Sequence, residues 1–432
     1  MMVGTTAFRN AGRIAFMGVV WGESYRRFLC DYCFASMLAP NNVPALGRQS
    51  GARLLIATTS EDWAAILEHP LTRQLSEYLV LQLVEIEAPG PGRNSVLHMS
   101  AAHRRLFQIC FDNGLAAFNI WPDGVFADGT IGNLARAFDD GAQLVLMPAM
   151  RTETEGFFAT LAARGTMAAE APQASNSLPL SIPAATLAEA VLRNPHVETV
   201  SWTWDSAAFS NPSLVLWMSQ DGRGAVIRCF EWMLAVVDFA ALSHIDLDDF
   251  DRATYADGFI DRHFHQAHAI RFMTDSDQAI FATWTTRHDG LQELRRKLGF
   301  GIPGLGWVMR ATELSRRFYA EHPIKQWAFQ HEVVWHADPL PADMPRVKAL
   351  ADRATRLATV STPIPSSGKA ERFPRLMPSL SRSGFVPWLL HALAKLETGL
   401  PRLGFLLGHL LKGEGAALRI LVARMRRLVG RV

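Results

Sequence analysis

Cysteine is scarce in this chain: Cys30, Cys33, Cys110 and Cys229 are the only four in 432 residues. So few thiols cannot build a disulfide framework for a chain of this length. Cys30-Asp31-Tyr32-Cys33 has the CxxC spacing of a redox or zinc pair, but it lies in an aromatic-rich helical stretch without a second pair. Buried thiols are the expectation there. Long apolar runs are missing too. With no window of about 18 uncharged apolar residues, no membrane-spanning helix is expected. The apolar run between Arg9 and Gly18 is too short for a signal peptide and lacks a small-residue cleavage pattern, so a cytoplasmic chain is expected. No G-x-S-x-G elbow supports a serine hydrolase. Gly299-Phe300-Gly301-Ile302-Pro303-Gly304 spells GxGxxG, but it follows a charged helix and contains a proline. A dinucleotide loop needs a strand before it and a helix after it.

What remains is a packed globular composition, 49% hydrophobic and 19% charged, long enough for two or three domains or one large α/β domain with additions. Arg13 to Trp21 reads as a first strand, followed by a helix from about Ser24 to Ala39. Arg53 to Thr58 is a second strand. Ser60, with Glu61 and Asp62 behind it, is a suitable helix start. Tyr78 to Glu85 is a third strand, and a helix from about Ala101 to Asn113 follows. Alternating strands and helices predict a doubly wound, largely parallel sheet. Beyond Phe158, Ala162 to Ser181 reads as helix plus loop, and Val200, Trp202 and Trp204 alternate like a half-buried strand. Gln220 to Gly224 separates two apolar runs as a hairpin turn would. Helices return from Gly290 to about Gln330, and Pro339 to Ser381 is rich in Pro and Ser, like a linker.

The most informative stretch is Ala116 to Arg151. A short apolar run ends at Pro122-Asp123-Gly124, a helix opens at Thr130, and a second apolar run from Gln143 to Met147 delivers Arg151. Strand, acidic loop, helix, strand is a βαβ unit, and such units place ligands at the carboxyl ends of their strands. Asp123 sits at that end, where a carboxylate can hold a divalent metal or a ribose hydroxyl.

Pro122-Asp123-Gly124-Val125, Asp128-Gly129 and Arg151 resemble the strand end, following helix and strand-terminal arginine of bacterial proteins with the GT-A-type nucleotide-diphospho-sugar transferase fold. The likeness extends to Val20-Trp21-Gly22-Glu23-Ser24-Tyr25, to Leu38 through Leu46, and to Thr274-Asp275-Ser276-Asp277. It covers roughly the first two thirds of the chain. The resemblance implies an α/β fold: a GT-A-like doubly wound mixed sheet with an antiparallel second half, followed by helical C-terminal additions. It implies a transferase domain over 1–285; composition and periodicity add a helical extension at 286–338, a Pro/Ser-rich linker at 339–384 and a basic amphipathic tail at 385–432.

The resemblance also assigns candidate roles. Asp123 would bind a divalent cation, Mn or Mg, that bridges the donor's diphosphate and neutralises charge on it as it departs. Asp123-Gly124-Val125 is not Asp-x-Asp, and a turn aspartate alone would explain Pro-Asp-Gly. Trp21, Gly22 and Glu23 end the first strand where nucleotide base and ribose rest, with Arg151 nearby. Asp257 is the candidate base for the acceptor hydroxyl. Spacing adds a further candidate: three histidines stand within Asp261 to His268, where His263 and His265 would share a strand face or His265 and His268 a helix face, and either pair could ligate zinc or complete a metal site with Asp123. Hydrogen-bonded histidines are the plainer reading. Trp204 and Asp205 could line a sugar-acceptor cleft, although tryptophan in a strand is more often core.

Charge is uneven. From His391 onward eight Lys/Arg face two Glu, a net +6 that leaves −4 on the residues before it. Leu421, Val422, Met425, Leu428 and Val429 form one helical stripe among arginines. A basic amphipathic helix of this kind can lie on an anionic membrane, so a peripheral place at the inner membrane is expected, and no nucleic acid. Two functions follow. The first is a glycosyltransferase moving a sugar from a nucleotide-diphosphate donor to a glycan or lipid-linked acceptor. The second is a non-catalytic protein that keeps the fold as a membrane-associated binding or scaffold module. A nucleotidyltransferase would need an early glycine-rich, basic phosphate loop that is absent after the first strand.

Overall fold

A computed structural model of the chain describes residues 8–90, 92, 94–167, 176–206, 209–246, 259–264, 266–285 and 305–359. The strands in chain order are β1 (Ile14–Val19), β2 (Arg53–Thr58), β3 (Val80–Glu85), β4 (Ala116–Asn119), β5 (Gly124–Phe126), β6 (Leu144–Met147) and β7 (Met150–Glu153). They continue with β8 (Leu214–Met218), β9 (Gly224–Cys229), β10 (Met233–Asp238), β11 (Ile270–Phe272), β12 (Phe281–Thr285) and β13 (Val333–His336).

Seven of these build the central sheet, in the order β11-β6-β10-β4-β1-β2-β3. β1 is buried along its whole length, as an unbroken apolar strand covered on both faces must be. It pairs in parallel with β2 on one side and β4 on the other. The chain therefore leaves β1 toward β2 and β3, then returns to β4 on the opposite flank. That reversal is a topological switch point, where open α/β sheets hold their ligands. β10 is antiparallel to both β4 and β6, while β11 is parallel to β6. It follows that β1, β4, β6 and β11 all point the same way and end along one carboxyl edge.

Two three-stranded sheets flank this frame, β5-β12-β7 and β13-β9-β8. The first is formed by the chain just beyond β4 and β6, so it stands at the carboxyl edge. The second carries a core of its own, with Trp204, Trp217, Phe230, Phe318 and Phe329 packed beneath the helix Met344–Ala358.

Several expectations are corrected. The stretch around Val200 is the short helix Val197–Ser201, because the His196 side chain caps it by accepting from the Glu198 N–H. β10, from the second half, inserts antiparallel into the otherwise parallel central sheet. Thr59, not Ser60, caps the helix Ser60–Glu68. The first part of the expected linker is the helix Met344–Ala358: a proline opens it, and Met344, Val347, Ala351, Ala354 and Ala358 present one buried face at helical spacing. The basic tail, 385–432, lies outside the described residues. Among those described, no helix is long and apolar enough to cross a membrane.

Candidate functional site

Asp123 is positioned by a turn and a tight sheet. Beyond β4 the Gly124 N–H closes on the Trp121 carbonyl at 3.2 Å, and the Trp284 N–H donates to the Asp123 carbonyl at 3.3 Å. Gly124 is required by contact: a Cβ there would stand 2.0 Å from Cζ of Phe281 across the β5–β12 pair. Protein atoms crowd the Asp123 carboxyl although part of the residue reaches the surface. Burial pushes that carboxyl above the usual carboxylate range, opposed by its own backbone N–H and by the positive charge of Arg151. The Cys33 thiol lies near enough to feel this charge; burial first, and Asp123 second, push it upward. Cys33 belongs to a fully buried π-helical turn, Leu29–Phe34. All four cysteines are free and buried, as expected.

Arg151 enters β7 across from Thr283 of β12. Its guanidinium is half exposed, 3.6 Å from the Glu198 carboxylate. Its carbonyl accepts from the His196 N–H at 3.1 Å and the Thr199 hydroxyl at 3.0 Å, which ties the strand to the helix Val197–Ser201. A cavity of about 220 Å³ lies behind it, lined by Met150, Leu192, Thr199, Thr203 and Leu216 among others.

On the other side of the switch point, Gly22 has φ +78°, a left-handed conformation that side-chain-bearing residues adopt only under strain. It opens the helical stretch that begins at Glu23. The buried Asp62 accepts from the Gly22 N–H at 2.9 Å, from Arg26 Nη1 at 2.7 Å and from the Thr59 hydroxyl at 3.1 Å. Trp21 meets the His98 ring edge-on at 5.2 Å. His98, with Glu85, Glu87 and Arg105, lines a cavity of about 540 Å³ beside the end of β3.

Of the other predicted residues that are described, Trp204 and His263 are not brought here. Trp204 is 1% exposed and stacks on Trp217 at 5.6 Å, so it is core and lines no acceptor cleft. Asp205 is exposed, 4.0 Å from Arg310. His263 ends the helix Phe259–His263, against the rings of His244 and Phe259. Phe259 packs on Phe239, whose N–H bonds the Leu115 carbonyl just before β4. That is the amino edge of the parallel strands. His263 and Asp123 therefore stand at opposite edges and cannot share an ion. Asp257 and His265 lie outside the described residues.

Three residues that carried no assigned role do converge. Asp275, Asp277 and His336 each offer one donor atom, all within 4.8 Å of one another, a group that could hold a metal. It is the one such group among the described residues, and Asp123 is not part of it. Asp275-Ser276-Asp277 spells Asp-x-Asp after a strand, a signal readable in the sequence. His336 had none, because it comes from a four-residue strand far along the chain. Other quoted motifs turn out to be scaffold: Asn42 Oδ1 accepts from the Gly129 and Ile131 N–H groups at 3.1 and 2.9 Å, and Asp128 accepts from the Asn41 N–H at 2.8 Å.

No family model matches the chain, and no curated protein does. Among solved structures, it aligns with the mannosyltransferase PcManGT from Pyrobaculum calidifontis in complex with GDP-Man and Mn²⁺, at 9% identity and TM-score 0.28, over 81% of this chain and 73% of that one. It also aligns with a protein assigned as a glucose-1-phosphate thymidylyltransferase from Bacillus anthracis, in complex with sucrose, at 9% identity and TM-score 0.27, over 67% and 97%. Likeness this weak carries no argument about activity.

Proposed function

We propose that this chain is a nucleotide-sugar-dependent glycosyltransferase whose donor lies across the switch point between β1 and β4. One observation carries the reading: the two sides of that crevice are electrostatically unlike. At the Gly22 side the first turn of the helix is already closed by the Asp62 carboxylate, with Glu23 adding a second acid. A phosphate gains nothing there. At the Asp123 side Arg151 is half exposed and only loosely paired, 3.6 Å from Glu198 against 2.7 Å for Arg26 with Asp62, so its guanidinium is the freer of the two to meet a phosphate. A nucleoside diphosphate therefore fits in one direction, with base and ribose toward Trp21 and Gly22 and the diphosphate toward Arg151.

In this reading Asp123 accepts a ribose hydroxyl, and Arg151 pairs with the diphosphate through charge-assisted hydrogen bonds. Asp123-Gly124-Val125 offers a single acid at this turn, so a cation held by Asp123 would take its further ligands from the donor's phosphates. Glycosyl transfer breaks the bond between the anomeric carbon and the diphosphate oxygen and joins that carbon to an acceptor oxygen. The acceptor proton then needs a base, and Asp257 is the proposed one. A glycan or lipid-linked acceptor is proposed, with Asp205 and the cavity behind Arg151 on its side. The alternative, a fold retained for binding alone, draws on Asp123-Gly124-Val125 not being Asp-x-Asp. A thermal-shift screen against uridine, guanosine and cytidine diphosphates and their sugars is the test. One nucleoside diphosphate should raise the melting temperature, with turnover of its sugar distinguishing enzyme from binding module. No shift with any of them at millimolar concentration would sink both.

A further inference from the structure

We propose that Asp275, Asp277 and His336 form a binding site for one first-row divalent cation, separate from Asp123. The geometry comes first. His336 Nε2 lies 3.8 Å from Asp275 Oδ1 and 3.9 Å from Asp277 Oδ2. Two ligands of one ion at bond lengths of about 2.1 Å stand no more than about 4.2 Å apart. Both separations fall within that span.

The imidazole is set for ligation. His336 Nδ1 lies 3.1 Å from the Ala337 carbonyl, which can only accept, so Nδ1 carries the proton. The tautomer with its proton on Nδ1 presents its lone pair at Nε2, and Nε2 is the atom that faces the carboxylates. A main-chain carbonyl behind a ligating histidine is the usual way its tautomer and ring orientation are fixed.

The two segments that supply the ligands are locked together before any ion arrives. The Ser276 N–H donates to the Val334 carbonyl at 3.0 Å, and the Val334 N–H donates to the Thr274 carbonyl at 2.9 Å. The His336 N–H donates to the Ser276 hydroxyl at 3.2 Å. Ser276 is fully buried, while the aspartates on either side of it reach solvent. The Asp277 N–H holds Asp275 Oδ1 at 2.8 Å. Little conformational entropy remains to be lost on binding.

Charge points the same way. Among the described residues no Lys or Arg pairs with Asp275 or Asp277. A divalent cation would balance the two carboxylates. The mixed oxygen and imidazole donors suit Mn²⁺ or Zn²⁺ better than Mg²⁺ or Ca²⁺, which prefer all-oxygen sets. The group follows β11 at the same carboxyl edge as Asp123. The strands these residues follow, β11 and β4, are three spacings apart, about 14 Å. One ion therefore serves this group alone, with coordination positions open toward the solvent side of Asp277.

The test is a Mn²⁺ titration of chelator-treated full-length protein, without nucleotide, followed by electron paramagnetic resonance of the free ion. Wild type and Asp123→Asn should each bind one Mn²⁺ per chain. Asp277→Asn and His336→Ala should weaken that binding at least tenfold, and pulsed spectra should lose the imidazole nitrogen coupling in His336→Ala. Asp277 is 64% exposed, so its substitution leaves packing intact and stays informative even if His336→Ala unfolds. No Mn²⁺ bound by wild type, undiminished binding in Asp277→Asn, or loss in Asp123→Asn would each overturn the proposal. Because nucleotide is absent, failure here leaves the donor reading untouched.

Discussion

Asp123 shows how a single buried carboxyl can oppose stability. Its folded-state pKa is raised mainly by burial, so folding favours the protonated form. The sign follows: below the unfolded pKa of about 3.9 the group costs nothing, and stability falls as pH rises from there through the raised folded value. Asp123→Asn keeps the volume and removes the buried charge. The variant should melt at a higher temperature than wild type at about pH 8, with the gap closing near pH 4. Differential scanning calorimetry at the two pH values checks this, and a lower melting temperature at pH 8 would mean that Arg151 outweighs burial. The same substitution should weaken nucleotide binding, since Asn offers the ribose a weaker acceptor. Stability gained together with binding lost marks a residue kept for function.

At the scale of elements, β5 and β12 hold Asp123 in place through one close contact, Gly124 against Phe281. Gly124→Ala should cost about 1–3 kcal/mol by overpacking, read as a lower urea midpoint, and should reduce nucleotide binding as the Asp123 turn shifts. An unchanged midpoint would show that the Phe281 ring moves aside freely. Elements of this sheet differ in how far they can be read from sequence. β1 and β2 are legible because strands buried on both faces must be continuously apolar. The helix Val197–Ser201 is not, because Val200, Trp202 and Trp204 mimic strand alternation while a histidine, an uncommon cap, starts the helix. The helix Met344–Ala358 was hidden by the prolines before it, although its buried stripe has helical spacing. β13 is only four residues long, and its place beside β9 is a tertiary fact with no local signal.

Across the whole molecule, the candidate site was half legible. Asp123, Gly22 and Arg151 follow parallel strands, and parallel strands share a carboxyl edge, so the βαβ pattern was enough to group them. His263 was grouped wrongly because only the antiparallel insertion of β10, and the contacts of Phe239 at its end, reveal which edge that histidine occupies. Asp275, Asp277 and His336 come together through pairing between Thr274–Ser276 and Val334, which no spacing encodes. The central claim is the direction in which a nucleoside diphosphate lies across the switch point. The most direct test is calorimetric titration of the best-binding nucleoside diphosphate, and of its nucleoside alone, into wild type and Arg151→Gln. The account predicts that Arg151→Gln loses roughly 10- to 100-fold in diphosphate affinity, the worth of a charged hydrogen bond, while the nucleoside binds both proteins alike. Equal diphosphate affinity in wild type and Arg151→Gln would contradict it.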